Sequence, residues 1–199
     1  MRHDITDSAA GITLRPVRLE DAADIVVLRS GPVQARFVHS ISPLVEDQER
    51  WLTRYFERAG DYYFVVERSH DQRFEGTVGL YDLADGRAEW GRWVLIPGSL
   101  AAPASALLVY RIAFETLQLS EVYCRTVAEN KAVLSFHDAC GVRRAGVVRD
   151  AFALRDGPVD AIEHQVLAAE WPDVRAGLAL QADRASRLIT RDAGERAEC

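Results

Sequence analysis

The turn Pro97-Gly98-Ser99 joins the apolar run WGRWVLI to a helix that opens around Ala101 to Pro103. The small residues Ala101, Ala102, Ala104 and Ser105 let a ligand come close to main-chain donors there. The free N–H groups of a helix start, with the positive end of its dipole, make a seat for a pyrophosphate. Pro103 fits a first helical turn, where its missing N–H would have had no partner. An ordinary strand-to-helix connection reads the same way. Farther on, Asn130 stands before the run KAVLSFHDA, where its side chain suits a helix N-cap.

The remaining reactive side chains are scattered. Cys124, Cys140 and Cys199 form no CxxC and no disulfide framework, which fits a reducing compartment. Cys124 and Cys140 lie in apolar stretches and read as small buried hydrophobes, while Cys199 is a terminal thiol. Neither internal cysteine has an evident histidine dyad, so no covalent intermediate is placed on them. His3, His70 and His164 lack a converging Cys/Asp/Glu pattern, and no metal site is expected.

The elements that must position these residues follow from periodicity and turn signals. Residues 1 to 11 read as a loose leader, and Ile12 and Leu14 as a strand ending before Pro16. Ala22, Ile25, Val26 and Leu28 recur at helical spacing. A second helix, clearest from Asp47 to Ala59, gathers Trp51, Leu52, Tyr55 and Phe56 on one side. Strands are expected at Tyr62 to Glu67, Glu75 to Asp82 and Arg87 to Leu95, then a long apolar helix ending near Leu117. A strand at Val122 to Val127, a helix at Asn130 to Ala139, and a hairpin turning at Asp156-Gly157-Pro158 complete the core. Trp171-Pro172 starts a short docking helix through Leu180, and 181–199 read as a C-terminal tail whose last ten or so residues are frayed and polar. The order calls for one mixed α/β sheet covered by helices, with no repeat.

Composition narrows the function classes. A chain of 199 residues is expected to form one domain, and its 48% apolar and 27% charged residues are those of a soluble globular protein. Thirty acidic residues against 24 Lys and Arg, with no basic run, argue against nucleic acid as a partner. The start has no apolar signal core, and the stretch from Val94 to Val109 is too short and too broken by prolines to span a bilayer. A cytoplasmic location and no membrane partner are expected.

The stretch from Ile12 to about Trp171 resembles the GNAT superfamily of acyl-CoA-dependent N-acetyltransferases. The resemblance rests on TLRPVRLEDAADI, WGRWVLIPGS, YRIAFETLQL, VYCRTVAENKAVLSFHDACGVRRAG and the closing strand ending in EW. It is closest in appearance to the branch of ribosomal-protein and amino-sugar acetyltransferases. The ERWL helix before YYFVVE and the WGRWVLIPGS wording lean toward amino sugars. One departure stands out. The family's R/Q-x-x-G-x-G/A loop falls on Pro97 to Ala102, or one position later, and neither alignment keeps the Arg/Gln or the first glycine.

The resemblance implies a mixed, mostly antiparallel sheet flanked by helices, and a single acetyltransferase domain over 1–199. It implies acetyl-CoA as acyl donor, held by main chain at Val94, Leu95 and Ile96, by Gly98, Ser99, Leu100, Ala101, Ala102, Ala104 and Ser105, and by Asn130 and Phe136. Main-chain N–H groups near Val94 to Ile96 would polarise the thioester carbonyl. Glu89 becomes the candidate base, since the family carries a carboxylate there or on the next strand that acts directly or through water, and an ammonium must lose a proton before its nitrogen attacks. His137 stands where many relatives carry a tyrosine that protonates the departing thiolate, two helical turns beyond Asn130. Phe37, His39, Tyr81, Arg92 and Trp93 are candidate acceptor residues, with Arg92 able to pair with an anionic group such as a nucleotide-sugar phosphate.

The implied function is direct acetyl transfer to a small amine, in the leading reading a nucleotide-linked amino sugar. A protein N-terminal amine and a catalytically inactive acyl-CoA-binding domain are the alternatives, and a homodimer is left open.

Overall fold

The computed structural model describes residues 2–31, 34–154 and 157–197, with the side chains of 34, 35 and 190–197 outside the description. Among the described residues eight strands form one sheet: β1 (Asp7–Ala9), β2 (Ile12–Pro16), β3 (Tyr62–Arg68), β4 (Phe74–Ala84), β5 (Arg87–Leu95), β6 (Glu121–Val127), β7 (Arg143–Leu154) and β8 (Gly157–Leu167). Their spatial order is β1-β2-β3-β4-β5-β6-β8-β7. Every neighbouring pair is antiparallel except β5 with β6. Five α-helices accompany them among the described residues: α1 (Ala22–Ser30), α2 (Val45–Tyr55), α3 (Ala102–Arg111), α4 (Lys131–Ala139) and α5 (Trp171–Ala197). A π-helical turn, Ile112–Thr116, extends α3. The result is the mixed α/β sheet covered by helices expected from the element order, mostly antiparallel as the family resemblance implied.

The parallel pair has a topological cause. Parallel neighbours need a crossover, and α3 supplies it between β5 and β6. Alternation along β3 sends Tyr63 and Val65 toward α1 and α2, and Phe64 and Val66 toward the main core. Burial on both faces explains the unbroken apolar run YYFVV. Leu52 and Leu108, both fully buried, illustrate the gain: roughly 2 kcal/mol for each such side chain.

Two expectations about the chain ends are corrected. The leader contains β1, which pairs with β2 across Ala10 and Gly11, both at positive φ. Arg111 fixes β1 by donating from Nε and Nη2 to the two carboxylate oxygens of Asp7, at 2.6 and 2.5 Å. The C-terminal segment is not a short helix with a frayed tail, because α5 continues to Ala197. Its buried residues Trp171, Val174, Leu178, Ala182 and Ile189 recur about once per turn and join the main core. Smaller shifts affect α2, which ends at Tyr55, and β2, which includes Pro16. Cys199 and the Asp156 part of the expected hairpin turn lie outside the described residues.

Candidate active site

The sheet opens along its one parallel seam. β5 and β6 pair at Arg87 with Glu121, Ala88 with Val122 and Glu89 with Tyr123. Among the described residues the ladder extends no further. Beyond Glu89 the two strands border a cleft of about 620 Å³. A bulge in β5 accompanies the opening: Gly79 pairs with Gly91 but Thr77 pairs with Val94, so β5 carries one extra residue. Arg92 sits in that bulge at φ 49°. Gly91 is needed there, since a Cβ at this position would collide with the Tyr81 hydroxyl.

Arg92 is not the free cation expected from the sequence. Its Nη1 and Nη2 donate to Asp61 at 2.5 and 2.9 Å, and its guanidinium lies over the Tyr81 ring at 4.4 Å. Asp61 stands at the turn after α2, so this pair pins the bulge. Trp93 forms part of the cleft wall. Its Nε1 donates to Ser105 Oγ at 3.0 Å, and its ring lies 5.2 Å from that of Phe136.

Glu89 lies in the cleft and is 5% exposed. Tyr81 donates its hydroxyl to Oε1 at 3.4 Å, and Arg125 Nη1 lies 3.4 Å from Oε2. Burial pushes the carboxyl above its ordinary range, and Arg125 pulls against that rise. Such a group takes a proton more readily than a solvated glutamate while retaining a partner for its charge. Tyr81 is itself raised by burial and by Glu89, so its hydroxyl stays protonated as a donor.

His137 also borders the cleft, at 2% exposure. Burial, then the neighbouring His164 ring at 4.8 Å, push its pKa down to about 3. The imidazole is neutral near pH 7, so the protonated donor expected from the sequence is not the resident form. Its Nε2 lies 3.6 Å from Cys124 Sγ. Cys124 therefore has the histidine neighbour that the sequence did not reveal. Burial and then Glu89 push that thiol far up, opposite to what a nucleophilic cysteine requires. The pair is a neutral thiol beside a neutral imidazole, which disfavours an acyl-cysteine on electrostatic grounds.

Asn130 acts as the N-cap of α4, accepting from Val133 N at 3.4 Å, and it faces the cleft at the same time. Val94 and Leu95 line the cleft as well. Ile96 does not offer a donor for a thioester carbonyl, because its N–H is given to Glu75 O at 2.9 Å. At the start of α3 the donor set is thin. Ala101 N donates to Ser99 Oγ at 3.1 Å and Pro103 has no N–H. Ala101, Ala104 and Ser105 are buried, leaving Gly98, Ser99, Leu100 and Ala102 nearer the surface. Gly98, at φ 77°, shares a second cleft of about 400 Å³ with Arg68 and Arg73, two cations the sequence reading missed.

Phe37, His39 and Tyr81 reach the main cleft, and the His39 ring meets Phe152 edge-on at 6.0 Å. Arg29, Arg125 and Phe152 line it too and were not anticipated. Arg125 had a usable signal, since it lies two residues from Tyr123 and so shares its face of β6. Among the described residues no His/Cys/Asp/Glu group is arranged to hold a metal ion. No helix among them is long and apolar enough to cross a membrane.

The chain's relatives share this arrangement of strands. The acetyltransferase (GNAT) domain family matches residues 12–143. FdhC, described as a nucleotide-linked sugar GNAT and solved in its apo form, is 27% identical, with a TM-score of 0.73 over 89% of this chain and 98% of that one. A GCN5-related N-acetyltransferase from Brucella melitensis is 18% identical, with a TM-score of 0.75 over 89% and 85%. A variant of the spermidine N-acetyltransferase SpeG from Vibrio cholerae is 19% identical, with a TM-score of 0.72 over 82% and 97%. No curated protein matches the chain.

Proposed function

Because the chain belongs to the GNAT acetyltransferase family, we propose that it transfers an acetyl group directly to the amine of a nucleotide-linked amino sugar. The observation that carries this reading is the buried Glu89 carboxylate in a cleft between two parted strands. The fold implies acetyl-CoA, which supplies the acyl group as a thioester. The gap along β5 and β6 fits an extended amide-bearing arm, with main chain at Val94 and Leu95 on one side and Asn130 at the end of the other strand. The start of α3, beside Gly98, Ser99 and Ala102, is the place for its phosphates.

Glu89 takes the proton of the acceptor ammonium in this reading. Tyr81 and Arg125 hold the carboxylate toward the cleft, and the freed nitrogen lone pair attacks. Trp93, which lines the cleft with Phe136 packed against its ring, keeps water from the reacting end. His137, its imidazole neutral, contributes shape and at most one neutral hydrogen bond; as the thioester C–S bond breaks, the departing thiolate takes up the proton that the attacking nitrogen sheds.

Two features support a nucleotide-linked acceptor. FdhC carries that description at 27% identity. The cleft lining also holds Arg29, which has no carboxylate partner among the described residues, whereas Arg92 and Arg125 are paired with Asp61 and with Glu163 and Glu89. Calorimetry with acetyl-CoA and CoA, followed by thiol release on a panel of UDP- and dTDP-linked amino sugars, spermidine and a peptide amine, tests the proposal. Turnover on the nucleotide sugars is expected. Preferred turnover on the peptide would identify an N-terminal acetyltransferase, and binding without turnover an inactive acyl-CoA-binding domain.

A further inference from the structure

Charge accounting separates the three cleft arginines. Arg92 is neutralised by Asp61 through two hydrogen bonds. Arg125 donates from Nε to Glu163 at 3.1 Å and faces Glu89 at 3.4 Å. Arg29, in the last turn of α1, forms no ion pair among the described residues. Its Nη2 donates to the main-chain oxygen of His39 at 3.0 Å, and its buried Nε has no hydrogen-bond partner among the described residues. A guanidinium stays charged at any relevant pH, and partial burial without a counter-ion is unfavourable. Its single main-chain acceptor leaves that charge uncompensated at the edge of the cleft.

Aromatic rings stand at the same rim. Phe37 and His39 come from the segment after α1, and Phe152 from β7 meets the His39 ring. A cation that binds phosphate in a fork geometry, beside rings that offer flat apolar faces, suits a ligand carrying both a phosphate and a planar base.

We infer that Arg29, with Phe37, His39 and Phe152, forms the subsite for the nucleoside diphosphate portion of the acceptor. The inference deepens the proposed function and rests on it for the identity of the amine. The diphosphate lies against Arg29, the base against the aromatic rim, and the sugar amine reaches inward toward Glu89. Arg92, occupied by Asp61, takes no part in holding the anion. The assignment moves acceptor charge recognition from β5 to the end of α1.

Calorimetric titration of UDP and, separately, inorganic pyrophosphate into protein saturated with CoA tests the subsite, because CoA occupies its own phosphate seat. UDP is expected to bind, to weaken with added salt, and to exceed pyrophosphate in affinity through the rings. Arg29→Met should lower UDP affinity at least tenfold while leaving CoA affinity within twofold, and Arg29→Lys should retain part of the loss. If Arg29→Met does not fold, Arg29→Lys and the salt dependence of the wild-type protein provide the same reading. Equal UDP affinity in wild type and the Arg29 variants, or no UDP binding by folded protein, overturns the inference. Failure of the acetyltransferase reading is seen separately, as an absence of CoA binding; UDP titrated into the protein without CoA, wild type against Arg29→Met, then still reports on Arg29.

Discussion

Arg125 Nη1 and Glu89 Oε2 face each other at 3.4 Å across the parting of β5 and β6. The two act in opposition on one equilibrium. Burial favours the neutral carboxylic acid, and the guanidinium favours the carboxylate. Arg125 is in turn held by Glu163, so its charge is fixed in place relative to Glu89.

Replacing Arg125 with Gln removes the opposing charge. The Glu89 pKa should rise further, and the acid limb of the pH profile of kcat/KM should move upward. Arg125→Lys should restore part of the shift. An acid limb that stays in place in Arg125→Gln would mean that the limb belongs to another group.

Gly91 tests the geometry rather than the charge. Gly91→Ala puts a methyl group against the Tyr81 hydroxyl that donates to Glu89. The variant should lose at least tenfold in kcat/KM, and Gly91→Ala with Tyr81→Phe should recover part of it by removing the obstructed oxygen. Strict additivity of the two substitutions would show that the residues do not communicate.

His137 gives a stability signature whose sign follows from burial. Its pKa of about 3 lies below the unfolded value near 6.5. Between these values the unfolded chain binds the extra proton, so stability is full above about pH 6.5 and falls as the pH drops toward 3. Replacing His137 with Met should flatten urea-measured stability between pH 6.5 and 4, relative to wild type. Unchanged slope would indicate that the imidazole is not held neutral. No alkaline limb of the rate profile near pH 6.5 should arise from this residue.

The start of α3 has a direct test in Ala102→Glu. A carboxylate on this first helical residue should oppose the CoA phosphates and weaken CoA binding at least tenfold, about 1.4 kcal/mol. Unchanged affinity in a folded variant would place the phosphates elsewhere, with the Arg68 and Arg73 cleft as the next candidate.

How far these residues were legible depends on how local their partners are. β5 was bounded correctly because Asp85-Gly86 and Pro97-Gly98 punctuate it on both sides. Asn130 was readable as a cap because its acceptor role spans three residues. Arg92 was misread because Asp61, 31 residues away, is brought to it only by the pairing of β3, β4 and β5. Cys124 and His137 are 13 residues apart and meet because α4 folds back over β6. Arg29 left no trace, since a basic residue in the last helical turn normally reads as a favourable partner for the helix dipole. The length of α5 was missed because its one buried residue per turn is diluted by exposed Arg and Asp.

The central claim is that Glu89 serves as the base for an amine acceptor in an acetyl-CoA-dependent transfer. The most direct measurement compares wild type and Glu89→Gln for thiol release with the best nucleotide-sugar acceptor, at saturating acetyl-CoA, alongside calorimetric CoA affinity. Glutamine keeps the shape and removes the proton-accepting charge. The account predicts a loss of roughly 10²-fold or more in kcat/KM for the acceptor, with CoA affinity unchanged. Equal turnover by the two proteins across the pH range would contradict it.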